Sequence, residues 1–197
     1  MTKFQEKILS RLSNAESLHS ILTGTIVPGL QKSFEELAWN SLNIDYHPPK
    51  VERLWTQIGD LRLMVHRIHP CEVEADALFH PHPWPSAVFI LRGSYRMGTG
   101  YSATSSEPPV TAISTLTSGS SYEMSDRNGW HYVAPGRETS LSLMLIGKPW
   151  TKPHPFYTEG EKVRLNPLTE KARRCLVEDL KHSLYQLEYS EERWEKK

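Results

Sequence analysis

A helical pattern of apolar residues marks both ends of the chain. From residue 3 to 22 apolar side chains recur at steps of three or four and form one face, which predicts a docking helix. The pattern resumes over residues 30–42 after the break at Pro28-Gly29, and His47-Pro48-Pro49 ends it. Leucines at the same steps predict a C-terminal helix from Pro167 to about Lys196.

Between residues 51 and 150 the pattern changes to short runs of β-branched and aromatic residues closed by turn residues, which predicts strands. Two glycine turns, Arg92-Gly93-Ser94 and Asp126-Arg127-Asn128-Gly129, favour antiparallel hairpins. The even spacing predicts a sandwich or barrel. The predicted strands are Leu61–His69, Ala77–His82, Ser86–Leu91, Ser94–Ser102, Val110–Thr117, Ser121–Met124, Trp130–Val133 and Ser140–Ile146.

The chain is therefore expected to divide into an N-terminal helical extension (1–50), a β-barrel (51–150), and a connection with a C-terminal helix (151–197). Its 197 residues suffice for one hydrophobic core. The flanking helices exceed what a compact barrel requires, so they either cover its outer face or mediate a homodimer.

Charge and composition exclude several classes of partner. The 23 Lys and Arg residues balance 23 Asp and Glu residues, so no overall field attracts nucleic acid or an anionic membrane. No apolar run approaches the roughly 18 residues that cross a bilayer, and the N-terminus does not resemble a signal peptide. The two cysteines, Cys71 and Cys175, match neither a disulfide scaffold nor a Cys-x-x-Cys pair. A cytoplasmic protein with a small-molecule partner is predicted.

Histidines provide the candidate chemistry. His80 and His82 stand two apart in a segment that Pro81 keeps extended, so both imidazoles lie on one face and can share an ion. A third candidate ligand is His131, which follows the Asn128-Gly129 turn at the start of a predicted strand. These three residues are the predicted metal ligands.

The same residues resemble the two motifs of the cupin superfamily over roughly residues 60–150. His80-Pro81-His82 and Gly93 correspond to the first motif, and Gly129-Trp130-His131 to the second. The resemblance implies a mainly β, cupin-type double-stranded β-helix (jelly roll) barrel, here with N-terminal helices and a C-terminal helix. The glutamate of the first motif is absent, since Ser86 and Ala87 stand where it would fall. The sequence is thus similar to the three-histidine branch that includes cysteine dioxygenase-type thiol dioxygenases.

Three neutral imidazoles leave a divalent cation its full charge, so anionic ligands should bind it. A facial set also leaves coordination positions open for an anionic substrate together with dioxygen or water. We therefore predict a mononuclear non-haem Fe(II) dioxygenase acting on a small anionic substrate. Zinc competes, because three histidines and a water also make a hydrolytic site, and manganese or nickel remain open.

Two other functions fit the same pattern. One is a non-catalytic cupin that binds a small molecule, and the other is a metal-dependent isomerase or hydrolase on the same scaffold, because a fold does not determine its chemistry. The sequence leaves open whether the protein is an enzyme.

Several residues could complete the site. Arg92 and Tyr132 are the candidate catalytic residues, Arg92 as a bidentate partner for a substrate carboxylate and Tyr132 as a wall of the pocket. Glu123 could be a fourth ligand or a base. His66 and His69 stand three apart and face opposite sides of a strand, so at most one of them lies near the metal.

Overall fold

The computed structural model describes residues 1–71, 73–152, 154–159 and 165–195. Its α-helices are α1 (Lys3–Ser13), α2 (Leu18–Ile21), α3 (Val27–Ser33), α4 (Phe156–Glu159) and α5 (Glu170–Glu195). A π-helical turn at Leu22–Ile26 joins α2 to α3, and 3-10 turns lie at Phe34–Glu36 and Glu74–Asp76. The strands are β1 (Asn40–Ile44), β2 (Val51–Ile58), β3 (Leu61–Ile68), β4 (His80–Pro81), β5 (Ser86–Arg92), β6 (Ser94–Tyr101), β7 (Ala112–Thr117), β8 (Ser121–Met124), β9 (Gly129–Ala134) and β10 (Ser140–Ile146).

The strands form two antiparallel sheets, in the orders β1-β2-β3-β10-β5-β8 and β4-β9-β6-β7. From β3 onward, eight strands fall into the four-stranded groups 3-10-5-8 and 4-9-6-7, so neighbouring strands are mostly distant in the chain. This is the order of a jelly roll, in which two Greek keys fold over each other. The predicted mainly β jelly-roll class is confirmed, and β1 and β2 extend its larger sheet.

The larger sheet is buried on both faces. Its outer face packs against the helices, and Leu54 and Leu143 belong to the same hydrophobic cluster as Leu176 and Leu180 of α5. Its inner face forms the barrel interior, where Met64, Val88, Ile90 and Met144 cluster with Tyr95 of the smaller sheet. All seven residues of β10 are buried, as expected for a strand covered on both sides. The division of the chain at residues 50 and 150 stays a prediction.

Two strands were missed, and two helical predictions were wrong. The helix predicted over residues 3–22 is interrupted between Ser13 and Leu18, where Ala15 has a φ of 58°. Residues 30–42 were expected to be helical, but α3 ends at Ser33, and β1 begins at Asn40 and pairs with β2. The strand β2 itself, Val51–Ile58, was not predicted. Pairing with a partner strand overrides local propensity here, because the pairing and the burial it brings depend on tertiary context.

Both glycine turns also differ from expectation. Arg92-Gly93-Ser94 joins β5 to β6, and Asp126–Gly129 joins β8 to β9, yet each pair of strands lies in different sheets. Neither turn closes an antiparallel hairpin, because the chain crosses from one sheet to the other at each of them. The predicted strand Ala77–His82 shortens to the two residues of β4, since prolines cannot supply ladder donors.

None of the described helices combines the length and the apolar character that crossing a bilayer requires. The cytoplasmic location and the homodimer stay predictions.

A buried ion-pair network links α5 to the outer face of the larger sheet. The Nε of Arg67 donates to Glu52 Oε2 at 2.6 Å, and its Nη1 donates to Asp179 Oδ2 at 2.9 Å. His69 Nε2 lies 3.2 Å from the same Glu52 oxygen. Burial alone would raise the pKa of Glu52, but its hydrogen bond and ion pair with Arg67 outweigh burial and lower that pKa.

This shift predicts a pH-dependent contribution to stability. A carboxylate whose pKa is lowered by folding stabilises the native state above its unfolded pKa of about 4.3, and the stabilisation is lost as the pH falls through the folded pKa. The difference in free energy of unfolding between wild type and Glu52→Gln should therefore shrink on acidification. Urea unfolding at a series of pH values measures it. In the control Asp60→Asn, which removes only a surface pair with Lys148, the difference should stay small; a Glu52→Gln difference independent of pH would contradict the assignment.

Candidate metal centre

Strand pairing brings two of the predicted ligands face to face. His80 of β4 lies directly opposite His131 of β9 in the antiparallel register, where Cβ atoms are about 5 Å apart. His82 follows two residues later on the same face. The ring centroids lie 5.2 Å apart for His80 and His131, 5.3 Å for His80 and His82, and 4.7 Å for His82 and His131.

We refer to His80, His82 and His131 as the histidine cluster. Each offers one ring nitrogen, and the three nitrogens lie within 4.8 Å of one another. The Nε2 atoms of His82 and His131 are 3.0 Å apart. Metal–imidazole bonds of about 2.1 Å at a right angle separate two nitrogens by about 3.0 Å. This pair therefore has the spacing of adjacent ligands on an octahedral ion.

The outer nitrogens of two rings have partners that orient them. His80 Nδ1 donates to the carbonyl oxygen of Leu78 at 3.0 Å, which leaves the Nε2 lone pair free. His82 Nδ1 lies 3.2 Å from Ser86 Oγ, so the residue at the position of the missing glutamate supports a histidine instead. His131 Nδ1 is buried without a partner among the described residues. A cation between the Nε2 atoms of His82 and His131 would bind a lone pair of each ring, which a hydrogen bond between the two rings cannot do.

The cluster is neutral near pH 7. Burial lowers the pKa of His131 to about 3 and that of His80 to about 4, the latter against a hydrogen bond to Leu78 that acts in the opposite sense. Burial also holds the pKa of His82 well below its usual range, and the positive charge of Arg53 adds to this effect. Neutral imidazole is the form that binds metal, so the donor set fits a divalent ion.

The cluster lies in the wall of a cavity of about 260 Å³ between the two sheets. Most of the lining is apolar or aromatic, with a few polar groups, as is usual for small-molecule sites. The apolar part includes Met64, Ile68, Trp84, Val88, Val133 and Met144. The polar part includes Arg53, His66, Tyr95, Tyr122 and Ser142.

Strand alternation determines which of the residues that the sequence left open face the cavity. His66 lines the cavity, whereas His69 lies on the other side and pairs with Glu52. Glu123 is exposed, and Tyr122, its neighbour in β8, faces the cavity in its place. Glu123 thus points away from the cavity, because adjacent strand residues point to opposite faces.

The structure does not bring the two candidate catalytic residues to the cluster. Arg92 pairs with Asp179 of α5, where its Nη1 lies 3.3 Å from Oδ1. The pair lies on the helix-covered side of the sheet. Arg92 is the last residue of its strand, and α5, which the sequence places nearly ninety positions later, supplies its partner.

Tyr132 directly follows the predicted ligand His131 in β9 and so points to the opposite face. Its hydroxyl donates to Glu74, which also pairs with Arg96. Its ring covers Gly98 on the neighbouring strand, where a Cβ would collide with it. Tyr132 thus packs the outer face of the smaller sheet.

Sequence reasoning missed Arg53. This half-buried residue of β2 lines the cavity, and its Nε donates to His66 Nε2 at 2.8 Å. Burial lowers the pKa of its guanidinium to about 10, so it remains charged near pH 7. Apolar and polar residues do not alternate along Val51–Ile58, so the sequence offered no strand signal for β2 and none for Arg53.

No family model and no curated protein matches the sequence. Solved structures with a similar fold include Fe(II)-HppE with an alternative substrate, at 16% identity and a TM-score of 0.37 over 48% of this chain and 49% of that one. KdgF from Halomonas sp. matches at 14% identity and a TM-score of 0.42, over 59% of this chain and 92% of that one. An oxalate decarboxylase from Bacillus subtilis matches at 11% identity and a TM-score of 0.40, over 59% and 28%. The chain thus spans about half the length of Fe(II)-HppE.

Proposed function

We propose that the protein is a metal-binding cupin that acts as a mononuclear non-haem Fe(II) dioxygenase on a small anionic substrate. The observation that supports this proposal is the convergence of three neutral imidazoles on one wall of an apolar cavity, with no carboxylate beside them in the described part of the chain. His80, His82 and His131 would hold the ion.

Bound Fe(II) would supply a redox-active centre with coordination positions open to the cavity. The residues of the chain determine what can reach it. Because all three donors are neutral, the charge of the site favours a substrate that approaches through an anionic group. The apolar walls replace water around that substrate, and no side chain is required as a nucleophile.

Metal content and oxygen consumption test the proposal. Elemental analysis of protein purified without added metal should find iron at about one ion per chain, rather than zinc, manganese or nickel. Oxygen uptake should then be measured with a panel of small thiols and diketones that carry a carboxylate. One dioxygen should disappear per substrate consumed, and both atoms of labelled dioxygen should appear in the product.

The other functions correspond to different outcomes of the same assay. Iron-loaded protein that binds members of the panel but consumes no oxygen would indicate a binding cupin. Conversion without oxygen uptake would indicate an isomerase, and incorporation of labelled solvent oxygen a hydrolase. Each of these results would overturn the dioxygenase.

A further inference from the structure

The cavity contains a guanidinium without a counter-charge. Arg53 makes one side-chain hydrogen bond, from Nε to His66, and within the described part of the chain its two Nη groups have no hydrogen-bond or ion-pair partner. A guanidinium half-buried in an apolar cavity gains from pairing with an anion, because its surroundings shield charge less than bulk water does. The two Nη groups of Arg53 are therefore donors that an anionic ligand in the cavity can use.

The rest of the lining does not supply the missing charge. No Asp or Glu is found among the described residues that line the cavity. The charge of Arg53 acts on the far wall, since it contributes to lowering the pKa values of His80 and His82. With a divalent ion at the cluster, two centres of positive charge would share one apolar space. Among the described lining residues none carries the balancing negative charge, which an anionic ligand would bring.

His66 determines how Arg53 presents its donors. Burial keeps the pKa of His66 well below its usual range, so the ring is neutral and its Nε2 accepts the hydrogen bond from Arg53 Nε. The two residues are also direct partners in the pairing of β2 with β3. Because a guanidinium is planar, fixing Nε fixes the plane of the two Nη groups. His66 is in this sense a positioning residue.

We infer that Arg53, positioned by His66, binds the carboxylate of a small ligand through both Nη groups while the remainder of that ligand extends towards the histidine cluster. A planar pair of oxygens matches the guanidinium fork. A cavity of about 260 Å³ has the volume of roughly nine water molecules, so the ligand has about that number of non-hydrogen atoms. The inference rests on the proposed function in one respect only, namely that the other end of the ligand meets a metal ion at the histidine cluster.

Matched pairs of carboxylate and amide probes test the binding site without knowledge of the substrate. Acetate with acetamide, and benzoate with benzamide, differ in charge but hardly in size. Calorimetric titration of the full chain, metal-free after chelation and again after loading with metal, should show each carboxylate binding more tightly than its amide. In metal-free protein the ion cannot contribute to the preference for carboxylates, so the measurement reports on Arg53 alone.

Variants of Arg53 test whether its guanidinium causes the preference for carboxylates over amides. Arg53→Met, which keeps the aliphatic stem, should weaken carboxylate binding by roughly 30-fold or more and leave amide binding unchanged. Arg53→Lys keeps the charge but not the planar fork, so its affinity for carboxylates should lie between those of wild type and Arg53→Met. His66→Leu should reduce the preference without abolishing it. Arg62→Met, on the same sheet and stacked on Trp55, is the matched control and should bind as wild type does.

The inference fails if wild type does not distinguish carboxylates from amides, if it binds neither carboxylate, or if Arg53→Met retains the preference. Should Arg53→Met not fold, the probe pairs in wild type and Arg53→Lys still decide the question. Iron and oxygen uptake that survive in Arg53→Met with unchanged KM would refute the inference and leave the proposed function standing. A carboxylate preference that depends on Arg53 in a protein that takes up no metal would refute the proposed function and leave the binding site standing.

Discussion

Replacing His82 with alanine should remove both bound metal and turnover. Its Nε2 lies 3.0 Å from that of His131, so the substitution takes away one of the three proposed ligands and the neighbour of a second. Loss of even an outer partner of a metal ligand typically costs 10–100-fold in affinity or activity, so loss of a ligand should exceed about 100-fold. Elemental analysis and oxygen uptake measure the two losses.

A matched histidine substitution separates this effect from a general loss of stability. His69→Gln alters a histidine on the helix-covered side of the sheet, where it contacts Glu52, and should retain metal and turnover. Circular dichroism should show that His82→Ala keeps its secondary structure. His82 follows the short strand β4, and among the described residues its side chain has no hydrogen-bond partner outside the cluster except Ser86. A His82→Ala protein with stoichiometric iron would contradict the ligand assignment.

Replacing Arg67 with methionine should lower the free energy of unfolding by about 3–5 kcal/mol, a large part of the stability of a typical domain. The substitution leaves Glu52, only 5% exposed, without its main cation. It also leaves Asp179 of α5 with Arg92 as its remaining partner on the sheet. Urea unfolding at neutral pH measures the loss.

Two further variants assign the loss to the unpaired charge. Arg62→Met, in the same strand as Arg67, removes an arginine that stacks on Trp55 and should cost less than about 1 kcal/mol. Combining Arg67→Met with Glu52→Gln should recover part of the stability, because the buried negative charge is then absent. If the double variant is less stable than Arg67→Met, lost packing rather than the charge explains the effect.

Much of the fold follows from local pattern. The alternation and turn residues between Leu61 and Ile146 predicted most strands to within a residue or two, because a strand buried on one face must repeat every second residue. The pattern did not reveal β1 and β2, whose pairing depends on each other and on the sheet they extend. Nor did it show that the turns at Gly93 and Gly129 cross between sheets, since a turn sets a local change of direction and not the partner of the strand that follows.

In the candidate site, too, some features follow from the local sequence pattern and others depend on the tertiary structure. The sequence by itself determined that His80 and His82 share a face, that His66 and His69 do not, and that His131 follows a turn, because the strand period relates neighbours in the chain. Only the tertiary structure decided that β4 pairs with β9, which places His80 opposite His131, and that Arg53 lines the cavity while Arg92 and Tyr132 do not. Which face of a strand becomes the interior depends on what packs against the other face, and helices distant in the sequence supply that packing.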